Sequence, residues 1–180
     1  MPQHQSQINQ GRRAWLFGLA ALSVYLIMTQ ITLPHLHQVA GQLPFDLRPM
    51  GYGPMQARTL LEALGADGRQ FYLMRQLPLD LLYPPLLALC LCAAIHWALG
   101  RANPTLMTRF ATLFPWAAAL ADYLENLGIA TMIITWPAVP DLLVYAAAAA
   151  SVSKAVMTTA AVLLFIVALA GKGIGRLKRR

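Results

Sequence analysis

Asp122, Glu125 and Asn126 stand at i, i+3 and i+4 within one long apolar stretch, so they leave the same side of a helix. Lys154 interrupts a second apolar stretch, with Ser151 and Thr158 in the same polar stripe, and Asp80 stands near the start of a third. An ionisable side chain in hydrocarbon costs at least about 2.5–3.5 kcal/mol, so such residues face a partner or a polar cavity. One lysine does not neutralise two carboxylates. Desolvation and like-charge proximity favour the neutral form of a carboxyl, so one acid is expected to keep its proton. An acid beside a carboxylate is what general acid–base chemistry requires. A proton-carrying site in a transporter requires the same groups.

The elements that must position these residues are four apolar blocks, Ala14–Leu33, Leu79–Leu99, Phe110–Trp136 and Val144–Ala170. Each reaches the roughly 20 residues that span a bilayer as a helix. The 180-residue chain is 58% hydrophobic and 12% charged, against about 25% charged in a soluble domain. The predicted fold is therefore all-α: an integral membrane four-helix bundle over residues 14–170, in a single domain. A polar, disordered segment 1–13 precedes it and a basic tail 171–180 follows. The first block is too long for a signal-peptide core and reads as a retained helix.

Basic residues gather at helix ends. Arg12 and Arg13 precede the first span, Arg101 and Arg109 lie between the second and third, and Lys172, Arg176, Lys178, Arg179 and Arg180 close the chain. The positive-inside rule then puts both termini in the cytoplasm, with segment 34–78 and the turn 137–143 outside. Arg48, Arg58, Arg69 and Arg75 oppose this but are spread through a longer segment. The net charge of +7 thus belongs to topology and lipid headgroups, not to nucleic acid. Trp15, Trp97, Trp136 and Tyr145 fall at the expected interfaces.

The outer segment 34–78 is predicted to be partly helical. Pro54 opens a helix towards Gly65, a second stretch runs from Arg69 towards Gln76, and Gly41–Gly53 is irregular. Pro34 ends the first span, and Pro84, Pro85 and Pro115 bend later ones. Asp141 is placed to cap the last helix.

A rise of 1.5 Å per residue puts Glu125 about 16 Å below Trp136 and Lys154 about 15 Å below Val144. The last two helices share a short turn and are expected to be antiparallel neighbours, so Lys154 should reach Glu125 or Asp122. Tyr25, Thr29 and Gln30 on the first span, and Asp80 and Tyr83 on the second, complete a polar pocket in the outer half of the bundle.

Weaker signals carry less. Cys90 and Cys92 point apart on a helix, as do His35 and His37, and no metal-ligand set accompanies them. Ser151 stands three residues before Lys154, a spacing shared with some serine–lysine nucleophiles and common by chance. The run Ala146–Ala150 allows a close helix approach, within the chain or between copies or partner subunits.

The run Gly53-Pro54, Gly65, Gly68-Arg69, Tyr72, Asp80 and Pro84, followed by Asp122-Tyr123-Leu124-Glu125-Asn126 and Lys154, resembles a group of small bacterial four-helix membrane proteins. The resemblance spans most of the chain after the first helix and implies the architecture and a bacterial inner membrane, not an activity. The plan is also similar to the four-helix sterol-isomerase-like membrane fold, in which acidic residues line a cavity for lipophilic ligands. Its motif residues do not match this chain one by one, so that likeness is one of architecture.

The leading expectation is an isomerase- or cyclase-type acid–base enzyme for a lipophilic substrate, needing no cofactor. Asp122 and Glu125 would exchange protons and Lys154 would hold one acid ionised. Asn126, Asp80, Tyr83, Tyr25 and Ser151 would contact the substrate. A proton-coupled transporter and an accessory subunit of a membrane complex stay open beside it.

Overall fold

The computed structural model describes residues 2–99 and 106–177, with the backbone alone at 2–4, 6, 106–107 and 173–177. Arg101, Lys178, Arg179 and Arg180, part of the basic pattern above, lie outside the described residues. Four helices are long and apolar enough to cross a membrane, which fits a multi-pass membrane protein. No strand occurs among the described residues.

The first rod is α1, Pro2–Ile27, joined by a π turn, Met28–Thr32, to α2, Leu33–Ala40. Gly41 then ends α2 in the left-handed conformation (φ 65°), its N–H donating to His37 O. An irregular stretch with one 3-10 turn, Phe45–Leu47, leads to α3, Pro54–Phe71. Pro54 sits in the first turn of α3, and Gln56 Oε1 accepts the Gly53 N–H at 3.0 Å. A second π turn, Tyr72–Gln76, joins α3 to α4, Leu77–Leu99. Then come α5, Leu106–Ile134, and α6, Asp141–Leu177. Helix α4 packs on α1, α5 and α6, α5 packs along α6, and α1 at most touches α6.

Some expectations need correction. The polar start of the chain is helical from Pro2 onward. Pro34 does not stop the first helix, because the π turn ends two residues before it and the rod continues to Ala40. A π turn rearranges the backbone bonding next to the carbonyl that proline leaves without a donor. The same device recurs at Pro78, two residues after the π turn that ends at Gln76. The α3–α4 rod is broken at Gly65 (φ 62°, ψ −174°), a conformation open essentially to glycine. The break falls at Gly65, where the sequence ends the first outer helix, and the helix resumes at once rather than at Arg69.

Asp141 does not act as a helix cap. It lies in the first turn of α6 and pairs with Arg58 Nη2 at 2.5 Å, while Pro140 O accepts the first amides. The Ala run serves the fold itself. Ala147, Ala148 and Ala150 are buried, and a Cβ on Gly128 would lie 2.6 Å from Ala147 Cβ. Helices α5 and α6 therefore approach closely where Glu125 and Ser151 meet.

Helix α2, the irregular stretch and α3 fold as a cap over one end of the bundle. The cap carries the core's large side chains: Leu36, Phe45, Leu60, Leu61 and Tyr72 pack with Ile129, Met132 and Val144.

Candidate functional site

The polar residues predicted to meet do meet, beneath the cap. Lys154 Nζ lies 3.3 Å from Asp122 Oδ1 and contacts Glu125 Oε2. Asp122, Glu125, Asn126, Asp80 and Ser151 are all buried, Glu125 being 1% exposed. Ser151 Oγ lies 2.5 Å from Glu125 Oε1 and 3.2 Å from Ala147 O, and its single proton can serve the carboxylate. The serine does not hydrogen-bond Lys154, so the serine–lysine reading has no geometry behind it. One cation thus joins two carboxylates of α5, with the hydroxyl of α6 fixing Glu125.

Asp122-Tyr123-Leu124-Glu125-Asn126 has a second role. Pro84 and Pro85 cannot donate to the carbonyls of Asp80 and Leu81 four residues earlier. Tyr123 Oη donates to Leu81 O at 2.9 Å, and Asn126 Nδ2 reaches Asp80 O at 3.5 Å and Asp122 Oδ1 at 3.4 Å. The motif on α5 supplies donors to the backbone groups that α4's prolines leave free. In hydrocarbon those carbonyls would otherwise cost several kcal/mol each.

Several participants were not predicted. Thr32 and Gln76 end the two π turns, and the Thr32 hydroxyl donates to Gln76 Oε1. Gln76 Nε2 donates to Asp80 Oδ2 at 2.8 Å. Asp46, on the 3-10 turn of the cap, accepts the Tyr72 hydroxyl through Oδ2 and faces Asp80. A polar residue followed closely by Pro34 or Pro78 was the one available hint of the π turns. Nothing in the sequence places a loop aspartate inside the bundle.

Two groups of the cap lie outside the apolar helices. Burial pushes the Tyr52 phenol above its usual range, with the Glu125 charge adding to the effect, so it is neutral at physiological pH. Burial lowers the Arg48 guanidinium. Arg48 bonds Leu43 O at 2.9 and 2.7 Å and Gln42 Oε1 at 3.1 Å, within its own loop.

A cavity of about 270 Å³ opens beside the cluster. Asp46, Asp80, Asp122, Lys154, Tyr25 and Tyr83 form its polar part, and residues such as Leu87, Leu91 and Ala118 its apolar part. Tyr25 and Tyr83 stack with ring centroids 5.7 Å apart. Glu125, Asn126 and Ser151 stand behind the wall, and Gln30 is exposed. The cysteines diverge as expected, Cys90 Sγ towards Ala14 O and Cys92 Sγ towards Thr112 O. No cluster with metal-ligand character occurs among the described residues.

No protein-family model, curated protein or solved structure matches this chain.

Proposed function

We propose that the chain is a membrane enzyme of the isomerase type, doing acid–base chemistry on a lipophilic molecule held in the cavity beneath the cap. One observation carries the reading. Asp46, Asp80 and Asp122 line a cavity whose other walls are largely apolar, and Lys154 is the one basic side chain on that wall among the described residues. Holding helices together does not require three carboxyls on a cavity surface, whereas moving protons to and from a bound molecule does.

The roles follow from the contacts. Lys154 holds Asp122 as a carboxylate, suited to accept a proton. Asp80, buried on the same cavity wall, supplies the acid that donates one. Removing a proton from one carbon and adding one to another shifts a double bond with atoms and charge in balance. Glu125 and Ser151 position Lys154 from behind, and Asn126 holds Asp122 and the α4 backbone. The apolar wall selects lipophilic substrates. The resemblance to small bacterial membrane proteins points to a bacterial inner membrane, and the positive-inside argument puts the cap on its outer face.

The test is solvent exchange. The purified chain, incubated in D₂O with a bacterial lipid extract, is expected to place deuterium in one lipid class, read by mass spectrometry. Asp122→Asn is expected to abolish the exchange. No enzyme-dependent exchange in any class would overturn the reading.

A further inference from the structure

A second hollow follows the first along the same helices. It measures about 370 Å³ and is lined by Gly11, Ala14, Gly18 and Leu22 of α1, Cys90, Ala94 and Trp97 of α4, and Phe165 of α6. The cavity beneath the cap ends on the same three helices at Tyr25, Leu91 and Thr158. Leu22 is one turn from Tyr25, Cys90 adjoins Leu91, and Phe165 lies two turns beyond Thr158. The two spaces are thus successive stretches of one seam between α1 and α6.

The seam exists because α1 packs along α4 and at most touches α6. Gly18 settles α1 against α4, since a Cβ there would lie 3.2 Å from Cys90 Sγ. Nothing comparable draws α6 to α1, and Trp15, Leu19 and Leu22 are left half or more exposed along the opening. The far end is closed where Lys172 Nζ donates to Trp97 O at 2.8 Å and lies 3.3 Å from the centre of the Trp97 ring.

From this geometry we infer that the ligand is a long single-chain lipid that enters sideways from the bilayer between α1 and α6. Its polar head, bearing a hydroxyl or similar donor, lies against Asp46, Asp80 and Asp122. Its chain runs down the seam towards Trp97. Eleven residues separate Leu22 from Gly11, about 16 Å of wall at 1.5 Å per residue. That is roughly one leaflet, half of a hydrocarbon core about 30 Å thick. The head end offers carboxyl oxygens, and no carboxyl stands among the described residues of the second hollow, a division that matches an amphiphile rather than a compact ring system. A width set by one missing helix contact suits one chain. The inference rests on the proposed site beneath the cap and adds the shape of its substrate and its route of entry.

Photo-crosslinking with two hexadecanol probes tests it, one carrying a diazirine next to the hydroxyl and the other at the chain end. The head-labelled probe is expected to mark Tyr83, Ala118 or Thr158, and the tail-labelled probe Leu19 or Phe165. Leu22→Trp, at an exposed wall position, is expected to abolish the tail marks and keep the head marks. Leu163→Trp, on the exposed surface of α6 away from the seam, is expected to change neither. Head marks in the cavity, with tail marks spread over Leu120 and Leu163, would overturn the seam while leaving the site beneath the cap intact. Absence of head marks from the cavity would remove the site and the seam together.

Discussion

The two ends of the bundle are built on different principles. Under the cap, large side chains such as Phe45, Tyr72 and Met132 are fully buried, as in a soluble core, and they enclose charged groups. At the other end, helix contacts rest on Gly18, Ala94, Ala98 and Ala168, while Trp15, Phe110 and Leu163 face outward. The second arrangement is the economy of membrane helices, where small residues permit approach and lipid solvates the large ones. The first is not needed for membrane packing. A tightly packed lid over charged residues marks the cap end as the place where the fold accepts polar groups for use.

The comparison should break hardest at the lysines. Lys154→Met leaves Asp122 and Glu125 without their cation and is expected to cost about 3–5 kcal/mol in a thermal melt. Adding Glu125→Gln should recover part of that loss. Lys172→Met at the other end removes a cation–π contact and a carbonyl bond, with an expected cost of about 1 kcal/mol. Equal losses at both ends would erase the distinction.

Glycine replacements sharpen it next. Gly128→Ala puts a methyl 2.6 Å from Ala147 Cβ and 3.3 Å from its Cα, and is expected to cost about 1–3 kcal/mol because backbone must move. Gly18→Ala meets the Cys90 sulfur at 3.2 Å, a side-chain atom with room to turn, and should cost less.

A smaller effect tests the proline argument. Tyr123→Phe is expected to cost about 1 kcal/mol by freeing the Leu81 carbonyl. In a Pro85→Ala background, where a backbone amide again serves that carbonyl, the cost should shrink towards zero. An unchanged cost would mean that Tyr123 acts elsewhere. The exposed Arg58–Asp141 pair on the cap is expected to matter least, at about 0–1 kcal/mol by double-mutant cycle.

Periodicity and depth sufficed for much of this. Asp122, Glu125 and Lys154 were legible because helix rise and a short turn fix their relative height, and the four apolar blocks set the bundle. What stayed hidden depends on contacts distant in sequence or on non-standard backbone. Pro34 read as a stop because a π turn leaves no periodic signature. Asp46 carries no signal of its own within the irregular stretch Gly41–Gly53, although it follows the fully buried Phe45 and lines the cavity. Tyr123 has no role legible from spacing, yet it answers a proline on another helix.

The claim at the centre is that the cap end is built around a ligand and not only around its own stability. Native mass spectrometry of the detergent-purified parent and of Asp80→Asn, each paired with a thermal melt, tests it most directly. Asparagine keeps the shape at position 80 and can still accept the Gln76 amide, but loses the carboxyl that faces Asp46. The expected result is a variant that melts close to the parent and lacks a lipophilic molecule that the parent retains. A variant that melts far below the parent, with no bound molecule in either protein, would contradict the account.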